Sequence, residues 1–134
     1  MRRTVALLGF VLLTACAGPG MGDLRAQGTR EEIRLSGNHE KIADCVVQRF
    51  ENESWSLMEL LAPVTRVRNL ENGAIELVAG SPASAQIYLW AAMLRQQAPD
   101  EVLVEIVARR DVNPYLSGRY MIDKVRRNVE SCRS

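Results

Sequence analysis

The chain is 134 residues long, 47% hydrophobic and 25% charged, with 17 Lys+Arg set against 16 Asp+Glu. A net charge of +1 with no basic stripe argues against a nucleic-acid partner, and the length suits one small domain with its own core. One histidine and three cysteines leave little material for metal or imidazole chemistry.

The N-terminus opens Met1-Arg2-Arg3, runs apolar over residues 5–13 and closes on Leu13-Thr14-Ala15-Cys16. A membrane-spanning helix needs about 20 apolar residues. This run is shorter, and Gly18-Pro19-Gly20 follows at once. A positive start, a short apolar core and small residues before a cut point are the marks of a secretory signal. With a cysteine at the cut point, the segment resembles the bacterial lipoprotein precursors. Their lipobox is an aliphatic residue, a small residue, Gly/Ala/Ser and the cysteine that receives lipid. The resemblance covers the first sixteen residues and implies an address, not an activity. It implies removal of residues 1–15, acyl chains such as palmitate on Cys16, and tethering to the cell envelope. In the same family an Asp after the cysteine favours the inner membrane. Here that residue is Ala17, which implies the outer membrane, facing the periplasm.

Residues 17–28 hold four glycines and a proline. Residues 16–35 therefore read as the lipidated cysteine and a flexible tether, and residues 36–134 as a single small α+β domain. Within the tether, Thr29 and Glu32 form a capping-box pattern that would start a helical turn broken at Gly37. Export places Cys45 and Cys132 in an oxidising compartment. With Cys16 lipidated they have only each other to pair with.

Residues 39–53 read as a helix, with Ile42, Cys45, Val46 and Phe50 recurring at three- and four-residue steps. Residues 55–61 form a further short helical turn ended by Pro63. The period then changes to two. Residues 64–70 and 74–79 flank Glu71-Asn72-Gly73 and predict a hairpin. In that reading Ile75, Leu77 and Ala79 face the core, while Glu76 faces out. Residues 83–97 contain a solid run of eight apolar residues from Ile87 to Leu94, and periodicity alone does not choose between strand and helix. A strand completes a four-stranded meander with residues 102–109, whose inward set is Val102, Val104, Ile106 and Ala108. A last helix spans residues 118–132, with Ile122, Val125, Val129 and Cys132 on one stripe. The predicted fold is a four-stranded antiparallel sheet with the N-terminal and C-terminal helices on one face. That layout, with a cysteine in each terminal helix, looks like small lipoproteins of Gram-negative bacteria.

Chemistry-bearing patterns are sparse. His39 sits at a helix start, where capping and solvation account for it. His39 and Cys45 lie off one helical face, and there is no CxxC or HxxxH, so no metal site is expected. No GxSxG elbow and no Gly-rich phosphate loop occurs. Glu31-Glu32 and Asp100-Glu101 fit a helix start and a turn better than a sugar cleft. Neither catalysis nor a cofactor is expected. Instead, the uncovered sheet face offers an interaction surface of Arg66, Arg68, Tyr88, Trp90 and Arg109, suited to an envelope protein or a glycan. The competing place for Tyr88 and Trp90 is core or edge space. A binding or structural role in the envelope is thus the leading expectation. An enzyme-inhibitor or immunity-type lipoprotein is the alternative, presenting a loop at 111–117. A hydrolase without a recognised motif comes third.

Overall fold

A computed structural model describes residues 21–52, 64–68, 72–81, 87–110 and 118–133. Five strands, β1 (Thr29–Ser36), β2 (Val64–Arg68), β3 (Ile75–Ser81), β4 (Ile87–Ala98) and β5 (Glu101–Ala108), form one sheet in the order β1-β5-β4-β3-β2. Every neighbouring pair is antiparallel. Three helices accompany them: α1 (Met21–Gln27), α2 (His39–Asn52) and α3 (Gly118–Ser131). The expected helical turn at 55–61 and the loop at 111–117 lie outside the described residues.

The predicted meander β2-β3-β4-β5 is present, and residues 87–98 are strand. Its hairpin turns where the Asn-Gly pair predicts. Gly73 takes a φ of 74°, a left-handed conformation that costs a glycine little. The Asn72 side-chain oxygen accepts the Ala74 N–H at 3.2 Å, an Asx turn that pre-shapes the reversal. Asn38 starts α2 in a related way, its side-chain oxygen accepting from the backbone of Glu40 and Lys41.

The segment expected to be tether departs from expectation. Residues 21–27 are helical, and residues 29–36 are a fifth strand paired along β5 from Thr29↔Ala108 to Ser36↔Glu101. The reason is backbone accounting. Without β1, β5 would present an open row of N–H and C=O groups, and Ile33 and Leu35 supply the inward residues that seat a partner there. The Thr29/Glu32 pattern therefore opens a strand, not a helical turn.

α2 and α3 cover one face of the sheet and close the main core. Ile42, Leu77, Leu94, Ile106 and Val125 are all at most 1% exposed. Both predicted stripes point inward, and Cys45 of α2 is bonded to Cys132, just past the end of α3, with Cα atoms 5.8 Å apart. The opposite face is not bare. α1 lies on it, and Leu24, 2% exposed, packs with Val78, Ala91 and Val107. Gly28 makes the reversal from α1 into β1 possible, because a Cβ there would lie 2.4 Å from the Leu24 carbonyl oxygen and 2.6 Å from Val107. Its N–H donates to that same carbonyl at 2.9 Å.

Candidate functional site

The five residues expected to share one exposed surface do not share one. The hairpin register sets Arg66 opposite Leu77 and Arg68 opposite Ile75. The side chains of both arginines lie outside the described residues. Trp90 is 1% exposed and sits in the main core, its ring centroid 4.9 Å from that of Phe50. A bulge is the cause. Ala79 pairs with Trp90 but Gly80 pairs with Tyr88, so Leu89 is the extra residue, and Leu89 and Trp90 both enter the core. Tyr88 turns to the other side and packs against the Leu24 cluster. Arg109 stays beside it, its Nε donating to the Tyr88 carbonyl at 2.9 Å, and its N–H donates to Leu89 at 2.8 Å. Arg109 therefore fastens the bulge.

On the α1-bearing face, charges are matched across elements. Arg25 reaches Glu76, Arg30 reaches Glu105 at 3.0 Å, and Arg34 reaches Glu101 at 2.7 Å. Glu76, expected in water, is 8% exposed because α1 covers it. On the other side of the sheet, Glu31 of β1 accepts from Arg126 of α3 at 2.7 Å, and Arg119 lies 3.5 Å away. The hydrogen bond Arg126 donates to Glu31, and then the charge of that carboxylate, raise the Arg126 pKa above its ordinary value. A raised pKa on a cation stabilises the fold at every pH below its unfolded value, so this contribution fades only in strong alkali.

A polar cleft lies at the Ser36 end of the sheet. It measures about 400 Å³ and is lined by His39, Asn72, Gly73, Arg95, Gln96 and Gln97. Gln96 is its structural hub. Its oxygen accepts the His39 backbone N–H at 2.9 Å, while its nitrogen faces the carbonyls of Gly37, Ala98 and Glu101 at 3.0, 2.7 and 3.2 Å. One side chain thus ties the start of α2 to the β4-β5 turn. Gln96→Ala leaves those groups without their partner. An expected loss of about 1–3 kcal/mol is checked by urea unfolding. His39 Nε2 lies 3.1 Å from the Gly73 carbonyl oxygen, so that nitrogen carries the proton and donates. Nδ1 is buried with no hydrogen-bond partner among the described residues. The cleft brings His39 to one guanidinium and several amides, and among the described residues its lining includes no carboxylate, serine or cysteine. Among the described residues no group of three His, Cys, Asp or Glu side chains is arranged to hold a metal ion.

Sequence reasoning missed Gln96 and the Glu31–Arg126 bridge. Gln96 gives no periodic signal, and Glu31 is legible only once β1 is recognised as a strand. No protein-family model matches the chain, and neither does any curated protein.

Proposed function

We propose that this is a lipid-anchored cell-envelope protein, tethered through Cys16, whose domain serves a binding or structural role. The observation that carries the reading is the sequence Leu13-Thr14-Ala15-Cys16 closing a short apolar run behind two arginines. The Cys45–Cys132 bond supports it, because such a bond persists in an exported protein and is rare in a reducing cytosol. Ala17 favours the outer membrane, with the domain in the periplasm. The make-up of the domain fits binding better than catalysis. Its one histidine shares a cleft with Arg95 and amides, and ion pairs hold α1, β1 and α3 to their neighbours.

The test is Cys16→Ser in the full chain, followed by metabolic labelling with a palmitate analogue and membrane fractionation. The expected outcome is complete loss of label, with the protein uncleaved or released from the membrane pellet. Label and pelleting that match the unsubstituted chain would end the anchor reading.

A further inference from the structure

We infer that the sheet face bearing α1 is turned toward the lipid surface, and that the α2/α3 layer faces away from it. The inference rests on the lipidation of Cys16 proposed above and adds an orientation to it. Five residue steps separate Cys16 from Met21, where α1 begins. Fully extended, they reach at most about 17–18 Å. α1 itself is held to the sheet. Leu24 is buried at 2% exposure among Val78, Ala91 and Val107, Arg25 is paired with Glu76, and Gly28 permits contact too close for a Cβ. The anchored chain therefore enters the domain at a fixed point on its α1 layer, not through a long free tether.

The geometry decides between the two faces. Three layers are stacked: α1, the sheet, and α2 with α3. Each is about 10 Å thick, so the far side of the helical pair lies on the order of 30 Å from the lipid side of α1. A leash of about 18 Å does not bring that side to the bilayer while α1 keeps its seat. The chemistry of the near face is compatible with phosphate headgroups. Arg25, Arg30 and Arg34 stay 46%, 49% and 65% exposed there, but Glu76, Glu105 and Glu101 balance them. The short leash, and not charge attraction, sets the orientation.

The experiment uses the full-length, lipid-modified protein in nanodiscs of phosphatidylethanolamine and phosphatidylglycerol containing a headgroup spin-labelled lipid, read by paramagnetic broadening of backbone amides. Amides of Leu24 to Gly28 should lose most of their intensity, while those of Glu51, Lys124 and Arg127 keep theirs. Even broadening over both faces, or broadening confined to α2 and α3, would overturn the orientation. A long Gly/Ser insertion between Gly20 and Met21 should even out the pattern, and a pattern that survives it would refute the leash as the cause. The mass of the Cys16 peptide is read on the same sample. An unmodified Cys16 would sink the lipidation reading itself, a failure distinct from acylated protein with no preferred face.

Discussion

Replacing Cys45 and Cys132 together by serine lowers the unfolding free energy by about 4–5 kcal/mol. The bond joins residues 87 apart in sequence, so its removal returns a long loop's worth of disorder to the unfolded chain. A small domain has roughly 5–15 kcal/mol in hand, so the loss leaves the variant marginal at body temperature. Urea unfolding of the oxidised protein and the double variant measures the difference. Thiol titration in denaturant without reductant supplies the control. Two reactive thiols at positions 45 and 132 in the unsubstituted chain would show that the bond does not form.

Trp90→Ala comes next in size, with an expected loss of about 3–5 kcal/mol. The indole is 1% exposed and in ring contact with Phe50, so it joins α2 to the centre of the sheet at the bulge. Trp90→Phe keeps an aromatic body in the same space and should cost much less. The two substitutions compared by thermal or urea unfolding separate a core anchor from a surface residue. Equal, small losses in both would return Trp90 to the surface and remove the bulge account.

Trp90 also shows where the sequence is readable and where it is not. Strict alternation puts Tyr88 and Trp90 on one face. A bulge inserts one residue and reverses the parity beyond it, and nothing in an unbroken apolar run marks the place. The β2-β3 hairpin was legible because Asn72-Gly73 specifies a reversal. Helices α2 and α3 were legible from their stripes, and β5 from its alternation. β1 was hidden because only Ile33 and Leu35 mark its inward side, while Thr29 and Glu32 imitate a helix start. α1 was hidden because seven residues with one buried leucine carry too little periodicity. Part of the candidate surface failed with these elements, since a bulge carried Trp90 into the core and an unforeseen helix covers Tyr88's side of the sheet.

The covalent loop between Cys45 and Cys132 encloses β2 to β5 and α3, but it excludes α1 and β1, which precede Cys45. Any pull on the chain before residue 29 is therefore borne first by α1 and β1, which lie outside the crosslink. β1 can peel from β5, opening its backbone pairs in sequence from Thr29 toward Ser36, while the rest of the sheet stays closed behind the bond. The fold is built with a sacrificial outer element, and single-molecule pulling from the N-terminus should record its release as a small early step before the main rupture.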